Sequence, residues 1–361
     1  MISSVSPGKL YIAGEYAVVE RGHPAIIVGV DLFLKVSLEA SDNIGSIKAY
    51  DDSPIPFNRK DEKLVLDYRD NRLFYVINSM KVVESLAKEM GKDLKFYNLK
   101  VESDLENPEG KKYGLGSSAA VTVSTIKVLC EFYDIKLSNE KIFKLAALVH
   151  LNVDSNGSCG DIAASVYGGW IAFKTFDKKW VKAEALESSI GDILEKNWPF
   201  LSIKRLTPPK DLNLVIGWTG RPASTTYLVD KVNANRDKMS SFYKEFLKKS
   251  KTCVEDMIKG FEDKDTLEIQ RGVVRNRNLL MNMGKELDIK IETPILSKLC
   301  DIANEHGGYA KSSGAGGGDC GIVLFKGNLD LDKLIFRWKR EGITYLPLKV
   351  YKRRGVEEDD K

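Results

Sequence analysis

The chain has 361 residues, more than the roughly 250 that a single hydrophobic core usually serves, so two domains are expected. Hydrophobic residues make up 43% and charged residues 29%, an ordinary globular mixture, and no apolar run nears the ~20 residues of a membrane span. A net charge of +4, from 55 basic and 51 acidic residues, suits an anionic small substrate and lacks the dense basic footprint of a nucleic-acid binder. The first residues show no basic stretch leading into an apolar one, the pattern of a secretory signal. Five scattered cysteines without a CxxC pair predict reduced thiols in a cytoplasmic protein, not disulfides or zinc. The three histidines, His23, His150 and His306, have no nucleophile–carboxylate signature around them, which argues against a Ser-His-Asp triad and His-rich metal chemistry.

In chain order, Ala25–Leu38 reads as strand, because Leu32, Leu34, Val36 and Leu38 alternate with Asp31, Phe33, Lys35 and Ser37. Pro54, Pro56 and Asn58 predict a loop over Asp51–Asp61. Helical spacing runs from Leu73 to Met90, with Gly91 as its stop. A second helix opens at the serines after Gly116 and runs to about Tyr133. A third starts near Ser138 as N-cap, with Ile142, Phe143, Leu145, Ala146 and Val149 on one side. Trp170–Phe176 reads as strand, Thr207–Lys210 as a polar connection and Leu212–Gly217 as a short apolar strand. Leu228–Lys264 is mostly helical in period. Gly307–Phe325 passes from a glycine-rich loop into a strand at Gly321–Phe325, and the charged end Lys352–Lys361 is expected to fray. A boundary near residue 195 gives domains of 1–195 and 196–361. Strands and helices mixed without strict alternation predict an α+β fold, not a doubly wound sheet.

The segment richest in chemistry is Tyr113-Gly114-Leu115-Gly116-Ser117-Ser118-Ala119-Ala120, which opens the second helix. Its glycines let backbone approach a ligand at positive φ. The free N–H groups and dipole of the first helical turn, at Ser117 and Ser118, make an anion site. No lysine follows Gly116, so this is neither GxxxxGK[ST] nor GxGxxG. Taken alone, it reads equally as a tight turn with an ordinary serine cap. Two further glycine-rich segments accompany it: Ser6-Pro7-Gly8-Lys9-Leu10-Tyr11-Ile12-Ala13-Gly14-Glu15-Tyr16, and Ala310-Lys311-Ser312-Ser313-Gly314-Ala315-Gly316-Gly317-Gly318-Asp319-Cys320-Gly321.

In order and spacing this triple resembles the galactokinase, homoserine kinase, mevalonate kinase and phosphomevalonate kinase (GHMP) superfamily. The resemblance implies an N-terminal domain like ribosomal protein S5, a ferredoxin-like C-terminal domain, and an active site between them. It implies ATP phosphates wrapped by Gly114, Leu115, Gly116, Ser117, Ser118 and Ala119, and Mg²⁺ held in part by Ser117 or Ser118. It implies Lys9 directed at the transferred phosphoryl group, although a solvated surface lysine is the common fate of that residue type. Asp319 stands where mevalonate kinases usually carry glycine. With the stretches Gly217–Thr225 and Ser158–Ala163, it is similar to the phosphomevalonate kinase branch, whose acceptor is 5-phosphomevalonate. One position departs: mevalonate kinases place a Mg²⁺-holding glutamate eleven residues before the motif aspartate, and here that residue is His150. Histidine suits a hard cation poorly. No protein carboxylate is therefore carried over as a metal ligand, and His150, in an apolar helix, reads as a packed structural residue.

Asp161 reads as a helix N-cap or, by the resemblance, as a catalytic carboxylate beside Lys9. The resemblance also implies substrate contacts from Tyr16, Ser158, Arg221, Ser224, Ser313, Gly314 and Ala315. Arg221 lies in a Gly-Pro-bounded loop leading to a helix near Ser224, and its fork fits phosphate or carboxylate, but it reads nearly as well as a surface arginine. Arg275-Asn276-Arg277-Asn278, in a helical segment, reads first as a solvated helix face and second as a cluster facing the cleft, and Lys244–Lys251 as an exposed basic helix. The expected partners are ATP and 5-phosphomevalonate, with no nucleic acid and no membrane, in a monomer or homodimer. Mevalonate kinase is the nearest alternative, opposed by His150 and Asp319. A catalytically silent metabolite sensor is opposed by the presence of Lys9, both serines and Asp161. An RNA-binding role rests on the S5 analogy alone, and the near-balanced charge opposes it.

Overall fold

The computed structural model describes residues 1–49, 52–61, 63–66, 73–153, 157–221, 228, 232 and 240–352. The first sheet is built around β2 (Pro24–Ser41), which pairs antiparallel with β1 (Ile2–Ala13) along one edge. On its other edge β2 pairs with β7 (Trp170–Lys174) at Pro24–Val28 and with β6 (Phe96–Ser103) at Leu34–Ser41. Beyond β6 lie β3 (Gly45–Ala49), β4 (Ile55–Lys60) and β5 (Lys63–Leu66), and beyond β7 lies β8 (Ser202–Leu206). The predicted loop over Asp51–Asp61 is thus in part a strand. Pro54 precedes β4 and Pro56 stands near its start, where a missing N–H is best tolerated.

The gap on β2 between β7 and β6 is closed by the far end of the chain. Tyr351 N–H donates to Gly29 O (2.9 Å), Gly169 N–H to Tyr351 O (2.7 Å), and Asp31 N–H to Lys349 O (2.9 Å), with Val30 facing Val350. The charged end beyond 352 lies outside the described residues.

Helices α1 (Phe74–Glu89), α2 (Ser117–Phe132), α3 (Asn139–Leu151) and α4 (Gly160–Tyr167) cover this sheet. Gly91, at φ 69°, ends α1, and Ser138 caps α3 by accepting from Lys141 N–H, as the spacing predicts. α2 is rich in Val121, Thr122, Val123, Thr125 and Val128, poor helix formers. Burial holds it instead: it packs on β1, β2, α1 and α3, and most of its residues are inaccessible.

The second sheet has the order β10 (Tyr309–Ser312), β11 (Cys320–Lys326), β9 (Leu212–Trp218), β12 (Thr344–Leu346), all antiparallel. Helices α7 (Ser240–Asp263), α8 (Thr266–Glu286) and α9 (Pro294–Glu305) separate β9 from β10, and α10 (Leu331–Arg340) separates β11 from β12. In the first domain, α5 (Lys178–Glu187) and α6 (Ile190–Glu195) lie between β7 and β8. That strand order is the split βαβ, ferredoxin-like pattern, so the α+β expectation holds. Trp338 is fully buried among Leu299, Val215 and Val323, and its indole N–H donates to Leu299 O at 3.1 Å. β10 was hidden in the glycine-rich reading, because its four residues, Tyr-Ala-Lys-Ser, carry little strand pattern. β8 belongs to the first sheet and β9 to the second. Of the predicted Leu228–Lys264 helix, α7 is its described part, with Leu228 and Val232 also helical and buried.

Candidate active site

The three glycine-rich segments meet where β1, the N-terminus of α2 and the turn between β10 and β11 converge. Lys9 N–H donates to Leu115 O at 2.8 Å and its ammonium to Gly114 O at 3.2 Å. Gly114 and Gly116 both hold positive φ, 79° and 81°. A Cβ on Gly116 would stand 2.9 Å from Lys9 Cε, and one on Gly114 would collide with the Asp319 carboxylate. The loop is therefore clamped between Lys9 and Asp319, which only glycine at both positions permits. Gly116 is the N-cap of α2, and Ser117, Ser118 and Ala119 present first-turn N–H groups that the helix leaves unsatisfied. Unsatisfied first-turn N–H groups favour an anion, and Lys9 places a cation beside them.

Asp161 lies near Tyr11, close enough for its charge to act on the phenol. It is not the N-cap of α4: Cys159, at φ 65°, occupies that place, and Asp161 sits in the first turn with its Oδ1 accepting from Ile162 N–H at 3.0 Å. The Tyr11 hydroxyl bonds Ser158 Oγ at 2.9 Å, and Ser158 Oγ also accepts from Gly160 N–H at 3.1 Å. Burial pushes the Tyr11 phenol well above its ordinary value, and the charge of Asp161 pushes it further. Lys9 Nζ lies 5.7 Å from the Tyr11 ring centre. No ion pair joins Lys9 and Asp161 among the described residues. Both lie near the same tyrosine, and the ammonium spends its described hydrogen bond on the glycine loop.

The third segment closes the site. Ser313 Oγ accepts from Tyr11 N–H at 2.9 Å and donates to Tyr11 O at 3.0 Å. Tyr16 is buried, and its hydroxyl donates to Ala315 O. Gly314 N–H donates to Glu15 Oε1 at 3.3 Å. Asp319 N–H donates to Arg221 O at 2.7 Å, which puts exposed Arg221 at the rim. Ser224 lies outside the described residues. Tyr113 and Trp218 stack edge-on at 5.0 Å, joining the phosphate loop to β9. The Glu15–Lys311 ion pair was not foreseen, although both residues sit inside the quoted motifs.

His150 is packed, as expected from its apolar helix. Its Nε2 bonds Thr122 Oγ1 at 3.1 Å, and Thr122 Oγ1 donates to Ser118 O at 2.8 Å. Its ring lies 4.7 Å from that of Tyr75, and burial lowers its pKa despite the opposing pull of Asp161. The 275–278 cluster is not the solvated face it resembled. Asn276 is fully buried, and Arg277 chelates Glu292 (2.9 and 2.6 Å) and reaches Asp301 (2.8 Å). The Lys244–Lys251 run is exposed on α7 apart from buried Phe246 and Ser250 and half-buried Leu247, as read. Among the described residues no cluster of three or more acidic, histidine or cysteine side chains could hold a metal ion.

The family models for the GHMP kinases N terminal domain and the GHMP kinases C terminal match residues 75–169 and 257–344. The phosphomevalonate kinase of Streptomyces sp. (strain CL190) is 37% identical over 95% of this chain and 95% of its own length. The mevalonate kinase of Thermococcus onnurineus is 30% identical over 88% of this chain and 87% of its own. The Streptococcus pneumoniae phosphomevalonate kinase, solved with phosphomevalonate and AMPPNP, superposes with a TM-score of 0.85 at 28% identity, covering 97% of this chain and all of the other. With the phosphate loop, the lysine clamp and the two-sheet architecture in hand, the chain belongs to the GHMP kinases.

Proposed function

We propose that the chain is a phosphomevalonate kinase, transferring the γ-phosphoryl group of ATP to the phosphate of 5-phosphomevalonate to give 5-diphosphomevalonate and ADP. The observation that carries this is the near full-length similarity to a phosphomevalonate kinase, joined to a site where Lys9 meets the glycine loop at the α2 N-terminus and both Lys9 and Asp161 lie near Tyr11. A phosphate oxygen of the acceptor attacks the γ-phosphorus, and the bond to the β-phosphate oxygen breaks. A phosphomonoester has a second pKa near ~6, so the attacking oxygen is already ionised at neutral pH and needs no strong base. The work left is positioning and charge neutralisation. The first-turn N–H groups of Ser117, Ser118 and Ala119 hold the nucleotide phosphates, and Lys9 offsets charge on the migrating group. Asp161, with Ser158 and Tyr11, orients the acceptor. Arg221 at the rim reads one of the acceptor's anionic ends, beside Ser313, Gly314 and Ala315, and Ser224 is assigned to the acceptor by the family resemblance alone.

Mg²⁺, when bound, would supply charge neutralisation to the nucleotide phosphates. The donors here fit a nucleotide-held ion: the hydroxyl of Ser117 or Ser118 would reach it, and His150 is turned into the helix packing. We place the division between domains at the connection from β8 to β9, and the reaction in the cytoplasm, where five unpaired thiols are at home. No helix among the described residues is long and apolar enough to cross a membrane.

The test is ADP release from Mg-ATP with phosphomevalonate or mevalonate as acceptor. Turnover is expected on phosphomevalonate alone, with kcat reduced about 10²–10³-fold in Lys9→Ala. Turnover on mevalonate alone would move the chain to the other branch. Asp161→Asn is expected to lose activity evenly across pH; rescue of that loss at high pH would make Asp161 a base.

A further inference from the structure

Lys311 is fully buried and Glu15 is 3% exposed, and they form an ion pair. One carboxylate oxygen of Glu15 also accepts from Gly314 N–H, while the other is buried with no partner among the described residues. Lys311 Nζ spends a second bond on Ser312 O at 2.6 Å. A charged pair in this setting costs desolvation that an apolar pair would avoid, so it is a poor device for stability alone. Its location suggests another use. The same two segments are stitched at both ends, by Tyr11 with Ser313 and by Tyr16 with Ala315. Tyr16 itself is held at φ 61°, a strained position for a non-glycine residue.

We propose that the Glu15–Lys311 pair is a positioning latch for the acceptor half of the site, fixing the third glycine-rich loop against β1 so that Tyr11 and Ser158 stand correctly beside Asp161. Neither residue bonds the phosphate loop, whose clamp comes from Lys9 and, beyond Gly314 at the far end of the third segment, from Asp319 against Gly114. Loss of the latch therefore acts on acceptor binding and turnover and spares the nucleotide. The inference rests on the kinase reading of this site.

The test replaces the pair with apolar residues of similar size, Glu15→Leu with Lys311→Met, which leaves no lone buried charge. The expected result is a cooperative melt near the parent's, AMPPNP affinity unchanged, and KM for phosphomevalonate raised at least about tenfold with a fall in kcat. Hydrogen exchange at the amides of Tyr11 and Gly314 should quicken, a readout that does not depend on which acceptor is correct. Parent values of KM, kcat and exchange in a folded double variant overturn the latch. If that variant does not fold, Lys311→Arg serves, since it keeps the charge and changes the reach. A raised acceptor KM supports the latch, and an unchanged one overturns it. A parent chain that turns over no phosphomevalonate refutes the substrate instead, and the exchange result still judges the latch.

Discussion

His150 shows what a single position can decide. It stands where related kinases place a metal-holding glutamate, yet its ring is locked between Tyr75 and Thr122. Burial lowers its pKa from the ordinary 6.5, so the folded protein favours the neutral imidazole. Above about pH 7 both states are neutral and nothing is lost. As pH falls through 6.5 the unfolded chain takes up a proton that the folded one resists, so stability declines toward the folded-state pKa. Each unit of depression corresponds to about 1.4 kcal/mol. Denaturant titrations should show this slope reduced in His150→Gln; only part of it disappears, because half-buried His23 is depressed in the same direction, also by burial. An unchanged slope would mean that His150 is not the group responsible. The residue-scale reading was strongest for groups inside motifs: Lys9 bonds the glycine loop that opens at Ser117, while Asp161 acts on Tyr11 and makes no ion pair with Lys9 among the described residues. It failed for Asn276, which is fully buried with neither side-chain polar atom bonded among the described residues, and for Arg277, whose charge pairs with Glu292 and Asp301. A lone sequence shows a charge but not the partner that lets it be buried.

At the scale of elements, the phosphate loop is legible because two glycines in four residues before a helix have few other uses. What the sequence does not show is the clamp that makes them obligatory, since Lys9 and Asp319 come from segments about a hundred and two hundred residues away. Comparison with Gly91 separates the two demands. Gly91 and Gly116 both hold positive φ, but a Cβ on Gly91 meets nothing within 4 Å. Gly91→Ala and Gly116→Ala should each lose about 1 kcal/mol of stability from the left-handed conformation. Only Gly116→Ala displaces the stem of Lys9, so only it should lower kcat/KM, by roughly 10²-fold. Thermal melts alongside steady-state kinetics check the pair, and equal activity in the two variants would remove the clamp from the mechanism. β4 was misread for the converse reason. Its prolines are a local breaker signal, while its pairing with β3 and β5 is non-local, and pairing won.

For the whole molecule, the two sheets were visible as a two-domain α+β chain, but their stitching was not. The chain leaves the first sheet after β8, builds the second, and then returns to fill the gap on β2 between β7 and β6. Composition marks that end as charged and frayed, which hides Val350 and Tyr351 just before it. Tyr351 packs edge-on against Phe33 at 5.0 Å and covers Gly168, at the end of the helix that bears Asp161. Four hydrogen bonds hold the returning segment: three backbone pairs and Lys349 N–H to Asp31 Oδ1 at 2.6 Å. At about 0.5–1.5 kcal/mol each, a chain ending at Leu348 should lose on the order of 2–6 kcal/mol relative to one ending at Lys352, which keeps all four. Because the same segment ties the second domain back to the first, the shorter chain should also lose the coincidence of its unfolding transitions. Tryptophan fluorescence reports on Trp338 in the second domain as well as Trp170 and Trp198 in the first. Far-ultraviolet dichroism follows both, so divergent midpoints from the two probes would reveal domains that no longer unfold together. Matching midpoints at the stability of the longer chain would show that the returning strand only covers the sheet and does not couple its two halves.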